Sequence, residues 1–531
     1  MGASTLISDA RSARPEDAER PEPSPHPKSR TMSGLVSSLS FFFGSFLVGI
    51  LFTPFLVNQL GIKAYGLVPL SFSIAAYFAL ATQVISAIVN QKLIANEHDA
   101  KNFNHYFSVF FYICAALAAM LVMVIVVTRN SIVASLNVPE ALGPSASLLL
   151  IASMINVALV LLSTPVSAVI YAVRGVDLIN FARLLELLVR VGLIVALFKL
   201  WQASLDYVAY ALMSGSAAAA LAITFAALTQ RHSLRLVYAE DALATLKMMF
   251  NLSIGVVLIQ VGSLIFMNTE LIIANMWFGP ETSGQYAVSI QWAVVLRSLG
   301  LSVAATFVAT AMRSFHHDPA GVKRVVVNSM FVLSAIMGLA SGFVIGSSDT
   351  LLSVWLGSGS AARADILSVA SMSVAFGVTA APLYALCLAS GRVLVPGVAI
   401  CVAGVLYIVT FAALERGDGS GPLRLVAGCG AFYIGHLLVV SLPYAAKQID
   451  ASLRDFARPL ISSVTWTVVA AVMARYCISE VRPTNFIGLA VCGVLITPAY
   501  TGAVVLTLPR HTREMFTVAL RTIFRQFRWK R

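Results

Sequence analysis

Stretches of roughly 20 to 28 mostly apolar residues recur along nearly the whole chain, about fourteen in all, and this repetition limits what it can fold into. A helix of about 20 residues crosses a ~30 Å hydrocarbon layer. It also satisfies its own backbone hydrogen bonds, which lipid cannot do. The chain therefore reads as an all-α polytopic membrane protein. Its composition agrees, at 58% hydrophobic and 11% charged residues with a mean hydropathy of +0.85. A soluble chain carries about 25% charged residues. The expected spans are 34–57, 66–90, 106–127, 145–172, 179–199, 205–228, 250–276, 284–312, 324–346, 365–389, 392–414, 422–445, 457–478 and 485–508. The loops between them are short and leave no room for a soluble catalytic domain.

The net charge of +12 is unevenly distributed. With the N-terminus inside, the tails and even-numbered loops hold 26 of the 36 Lys and Arg residues, counting boundary residues with the nearer loop. The odd-numbered loops hold eight, and Arg190 and Arg297 lie within spans. This is the positive-inside asymmetry, and an even span count leaves both termini cytoplasmic. Basic residues scattered at membrane boundaries do not suit nucleic acid.

Residues 1–31 are polar and Pro-rich and read as a disordered cytoplasmic tail. No short apolar stretch precedes the first span, so that span serves as an uncleaved insertion signal. Residues 509–531 read as a basic amphipathic tail: Phe516, Leu520, Ile523 and Phe527 share one helical face, and Arg521, Arg525 and Arg528 the other. Such a helix lies on an anionic leaflet. Trp201, Trp277 and Trp355 fall at outer ends of spans and fit an interfacial aromatic belt. The six cysteines all lie inside expected spans, without metal-ligand spacing or a disulfide framework. No cofactor motif is present.

The chain also repeats. Gly61 and Gly66 follow the first span, and Gly279 and Gly284 follow the seventh, both at an offset of 218. Pro165 and Gly175 close span four, and Pro382 and Gly391 close span ten, at offsets of 217 and 216. Six spans is an even number, so the two halves share one orientation, as in transporters with parallel repeats. This gives an N-terminal six-helix lobe at 32–228, a cytoplasmic connector at 229–249, and a second six-helix lobe at 250–449. Two additional helices follow at 450–508.

The segment Asn58-Gln59-Leu60-Gly61-Ile62-Lys63-Ala64-Tyr65-Gly66-Leu67 resembles the polysaccharide flippases of the multidrug, oligosaccharidyl-lipid and polysaccharide exporter superfamily. Tyr171 to Asn180 is similar to their loop between spans four and five, and Glu270 through Gly279 to Tyr286 to their seventh span and its exit. The likeness covers about residues 33–450, and the last two spans match in number only. It implies a bacterial inner-membrane flippase, not an enzyme, whose two lobes alternate access to a central cavity. The implied substrate is an undecaprenyl-pyrophosphate-linked oligosaccharide repeat unit. The implied surroundings are membrane lipids and polysaccharide polymerase or export machinery.

Ionisable residues inside spans cost about 2.5–3.5 kcal/mol near the helix centre on insertion scales, so they mark function or a buried pair. Arg183, Glu186 and Arg190 sit at i, i+3 and i+7 of span five and share one face. A cationic face suits a pyrophosphate, which Arg grips bidentately. The alternative is a self-satisfied Glu186–Arg190 pair. Arg297 is alone in span eight and needs a partner from elsewhere. Glu270, late in span seven, either pairs with Arg297 or takes up a coupling proton. Gln83, Ser86 and Asn90 form a weaker polar stripe on span two that binds sugar hydroxyls or holds helices together. Asn156, Gln260, Gln291 and His436 stand isolated and read as packing contacts. Arg174 and Lys92 sit at cytoplasmic span ends. Pro54 bends span one, either as a gate or as a fixed kink.

Competing readings are a multidrug or cation antiporter and a lipid II flippase of the same superfamily. The antiporters usually carry an acidic residue near span one, and none is there. A membrane polymerase or ligase would need a large outer loop. A non-transporting scaffold leaves the charged face of span five unexplained.

Overall fold

The computed structural model describes residues 27–173, 175–230, 234–237, 242–317, 321–357, 362–415, 420–507 and 513. Helix follows helix: α1 (Pro27–Leu60), α2 (Ile62–Ala95), α3 (Ala100–Ser135), α4 (Gly143–Ala172), α5 (Val176–Leu200), α6 (Leu205–Gln230), α7 (Ala242–His317) and α8 (Val322–Leu356). Then come α9 (Ala364–Thr379), α10 (Ala381–Ala389), α11 (Leu394–Leu414), α12 (Gly421–His436), α13 (Leu442–Gln448), α14 (Leu453–Val481) and α15 (Phe486–Thr507). The protein is an all-α polytopic membrane protein.

Every expected span falls on a helix, but fourteen separate spans are not established. Ten of the described helices are long and apolar enough to cross a membrane, or eleven if α9 and α10, bent by 41°, are one span. α5 is not among the ten, because Asp177, Arg183, Glu186, Arg190 and Lys199 crowd its 25 residues. α7 counts once, although its apolar part, Ile254–Met312, is 59 residues long. At ~1.5 Å per residue that is about 88 Å, far more than one ~30 Å crossing needs. It is in fact two arms, broken at Gly279 (φ 87°, ψ 176°) with Pro280 next.

One pair of the echoed glycines shares a backbone conformation. Gly61 adopts φ 78° and ψ 158°, nearly the conformation of its counterpart Gly279, in a region where glycine alone is unstrained. The second echo diverges: Gly391 has φ 67° and Gly175 has φ −89°. Pro165 lies within an unbroken α4, whereas Pro382 opens α10 after the bend.

Packing follows the same division. In the first half α4 contacts α2, α3 and α6, and α5 joins α6 to α1. In the second half α7 contacts α8, α9, α10, α11 and α12. The seam between them is α2 laid along α7. Small residues bring α14 onto α8. Ideal Cβ atoms on Gly342 and Gly346 would lie 2.5 Å from Ala470 Cβ and 2.3 Å from the Ala471 carbonyl oxygen. Polar caps close some helix ends: Asp99 accepts from the backbone N–H groups of Lys101 (3.0 Å) and Asn102 (3.1 Å) at the start of α3. Ser452 and Asp455 form a capping box on α14, and Asp455 also pairs with Lys323 at 2.6 Å.

α1 begins at Pro27, inside the segment expected as a tail, and α7 begins at Ala242, inside the expected connector. Residues 1–26, Arg174 and the C-terminal amphipathic face lie outside the described residues. Of the three tryptophans read as a belt, Trp201 and Trp277 are exposed, but Trp355 is buried at 5% exposure. Its indole N–H donates to the Ile50 carbonyl at 2.6 Å, so packing between the halves has claimed it.

Candidate functional site

The charged face of α5 lines a cavity of about 580 Å³. α1, α2 and α6 supply other walls, and Gln291 reaches in from the second arm of α7. Arg183 is exposed, while Glu186 and Arg190 are half-buried. The i, i+3, i+7 spacing thus does place all three on one wall. Gly215 lets α6 approach that wall closely: a Cβ there would lie 2.8 Å from the Glu186 carbonyl oxygen and 3.3 Å from Arg190 Cβ.

The Glu186–Arg190 ion pair of the alternative reading is not formed among the described ion pairs. Glu186 Oε1 instead accepts from Asn156 Nδ2 of α4 at 3.4 Å. Asn156 also donates to Ser216 Oγ of α6 at 2.5 Å, and Ser216 donates to the Leu212 carbonyl at 2.8 Å. The carboxylate is held from behind, leaving both guanidinium groups on the cavity wall free of that pairing. Asn156 and Gln291, isolated in sequence, both belong to this site. Their place depends on which helices pack against α5, and helical periodicity along one segment carries no such information.

The second half holds a smaller cavity of about 90 Å³, and both Glu270 and Arg297 line it. Here too the expected ion pair is absent among the described ion pairs. Glu270 is buried at 8% exposure, and its Oε1 has no hydrogen-bond partner. Aromatic rings surround it: Phe266 stacks with Tyr407 at 6.1 Å and meets Tyr433 edge-on at 5.4 Å. A buried carboxylate faced by the Cys429 thiol, the Tyr286 hydroxyl and a guanidinium in the same pocket, without an ion pair, is an unusual burial, since buried charges are normally paired. It leaves room for a proton or for the hydroxyl of a ligand.

The span-two stripe is differently engaged. Gln260 Nε2 donates to Gln83 Oε1 at 3.0 Å and ties α7 to α2. Asn90 donates to Ser86 Oγ at 3.3 Å within α2. Neither Gln83 nor Asn90 lines either cavity. His436 shares a 2.8 Å hydrogen bond with Tyr384, and the Lys92 ammonium lies 5.8 Å from the Tyr106 ring centroid.

α2 laid along α7, with a polar cavity holding ionisable side chains on either side of that seam, belongs to a fold of a known class. It is the fold of the transporters grouped as the MOP superfamily, as the sequence resemblance implied. No protein-family model matches the chain. Among solved structures, the lipid II flippase MurJ in an inward closed conformation superposes with a TM-score of 0.63 and 11% identity, covering 90% of this chain and 98% of that one. An inward-facing multidrug resistance MATE family transporter gives a TM-score of 0.58 at 12% identity, covering 82% and 94%. A MOP superfamily transporter from Pyrococcus furiosus gives 0.53 at 13% identity, covering 86% and 95%. In sequence, the chain is 24% identical over 480 residues to the uncharacterized membrane protein EpsK of Bacillus subtilis, covering 87% of this chain and 92% of that protein. The solved relatives are transporters and a flippase rather than enzymes.

Proposed function

We propose that this protein is a flippase of the bacterial inner membrane, with both termini cytoplasmic. It carries undecaprenyl-pyrophosphate-linked oligosaccharide repeat units from the cytoplasmic to the periplasmic leaflet for surface polysaccharide assembly. Two six-helix lobes alternate access to the cavities between and within them. The observation that carries this reading is the Arg183–Glu186–Arg190 wall on a cavity of about 580 Å³. Arg183 and Arg190 contact the pyrophosphate, with Glu186 and Asn156 fixing the wall behind them. Arg297 takes a second anionic group of the head, and Glu270 balances it and accepts the coupling proton. Gln83 ties α2 to α7 and Asn90 bonds Ser86 within α2, so both serve helix packing rather than the head group. The MurJ likeness supports a lipid-linked substrate, because that protein is described as a lipid II flippase.

The test is lipid analysis of a strain lacking the gene. Undecaprenyl-pyrophosphate-linked repeat units should accumulate on the cytoplasmic leaflet while surface polysaccharide falls. The intact gene should reverse both, and Arg190→Ala should not, at an unchanged protein level in the membrane. Unchanged lipid-linked sugars with new sensitivity to cationic drugs would overturn this reading in favour of a multidrug antiporter.

A further inference from the structure

Residue 50 of α1 lies four positions before Pro54. In an α-helix the N–H of residue 54 would bond the carbonyl of residue 50. Proline has no N–H, so the Ile50 carbonyl is left over. It is also buried, since Ile50 is 7% exposed, and water is a poor substitute donor there. The missing donor comes from the other half of the molecule. Trp355 Nε1–H, at the last turn of α8, donates to the Ile50 oxygen at 2.6 Å across 305 residues of sequence. The Trp355 ring is fixed edge-on to Trp292, with centroids 5.7 Å apart. One residue earlier on α1, Thr53 Oγ1 donates to the Gly49 carbonyl at 2.8 Å. Gly49, Phe52 and Thr53 line the cavity that holds Arg183 and Arg190.

The same end of the molecule carries further contacts between the halves, besides those of Tyr77 and Gln83 farther along α2. Lys63 pairs with Glu281 at 3.2 Å, two residues that correspond in the repeat. The backbone N–H of Asn137 donates to Asn275 Oδ1 at 3.1 Å. Gly66 and Gly284, also repeat counterparts, touch backbone to backbone.

We infer that Pro54 and Trp355 form a latch between the halves: the proline frees a buried carbonyl in the first, and the indole of the second occupies it only while the halves meet at this end. Parting them strands the Ile50 carbonyl, and a stranded buried carbonyl costs more than an ordinary hydrogen bond contributes. The kinked wall of the arginine cavity is thereby tied to closure of this end. The inference rests on the two-lobe rocking proposed above, but not on the substrate.

The test is a closure assay that needs no substrate. In a background with the six native cysteines replaced, Lys63→Cys and Glu281→Cys are combined, and their oxidative cross-linking rate in membranes reports how often this end is shut. Trp355→Phe keeps a ring beside Trp292 and removes the N–H. It should slow cross-linking about fivefold, the size of one net hydrogen bond. Pro54→Ala gives the Ile50 carbonyl the helix's own donor in both arrangements, so alone it should slow cross-linking by about the same factor, and adding it to Trp355→Phe should slow it no further. If Trp355→Phe does not reach the membrane, a benzothiophene analogue of Trp at position 355 removes the N–H alone. Cross-linking at the parental rate in the N–H-deficient protein, or a further fall when Pro54→Ala is added to it, would overturn the latch. A failed lipid-accumulation experiment alongside the expected cross-linking would dismiss the proposed substrate and leave the latch standing.

Discussion

Gly66→Ala tests whether the two halves close on each other through a glycine contact. A Cβ at position 66 would lie 2.8 Å from both Cα and N of Gly284, and 3.1 Å from the Pro280 carbonyl oxygen. Carbon atoms in contact sit about 3.5–4.0 Å apart. The halves must therefore separate by about 1 Å at this point, because the obstacle is backbone and has no rotamer to change. Overpacking of this kind costs about 1–3 kcal/mol. That penalty falls only on the closed arrangement, so the closed-to-open ratio drops by about five- to 150-fold, at ~1.4 kcal/mol per factor of ten. The assay is labelling of Val68→Cys by a membrane-impermeant maleimide, in the background without native cysteines. Val68 lines the arginine cavity and is 7% exposed in the closed arrangement. Labelling should rise at least fivefold with Gly66→Ala. Unchanged labelling together with normal transport would show that the contact is not a closure surface.

Other expectations follow from the same geometry. Gly342→Leu should loosen α14 and α15 from α8 and lower the melting temperature in detergent, since even a Cβ meets Ala470 Cβ at 2.5 Å; an unchanged melt would mean that the additional helices dock elsewhere. Asn156→Leu should leave Glu186 free to pair with Arg190 and cut transport about tenfold at normal protein level, about 1.4 kcal/mol, and Asn156→Gln should recover part of it. Lys63→Ala removes an exposed ion pair and should shift stability by no more than ~0.5 kcal/mol in a chemical-denaturation series.

Much of this fold was legible because lipid imposes a simple rule on the backbone. Apolar length predicted a helix for each expected span, and a repeated Gly–Gly spacing pointed to two like halves. The glycines were informative because Gly61 and Gly279 need a positive φ that other residues avoid. Span counting was less secure. α5 carries too many charges to pass as a simple span, and the two arms of α7 run together across a single-residue break. The shared wall of Arg183, Glu186 and Arg190 also followed from periodicity, which reports which residues share a face. Periodicity does not report what that face meets. Glu186 and Arg190 had the right spacing to pair, yet Asn156 from α4 reaches the carboxylate instead. Trp355 had the right position for an interfacial belt, yet Ile50 required a donor.

The repeat also explains why the contact between halves is built as it is. Where a segment meets its own counterpart across an axis, corresponding positions face each other. Two glycines meet without difficulty, as Gly66 and Gly284 do. Two identical charges could not, so the duplicated position has diverged to Lys63 and Glu281. Divergence has gone further inside. The first half keeps a wide cavity with two arginines and one carboxylate, and the second a cavity of about 90 Å³ with one of each. The proline kink in α1 is answered by a tryptophan at the end of α8. The halves are thus alike where they touch at the surface and unlike where a ligand would lie.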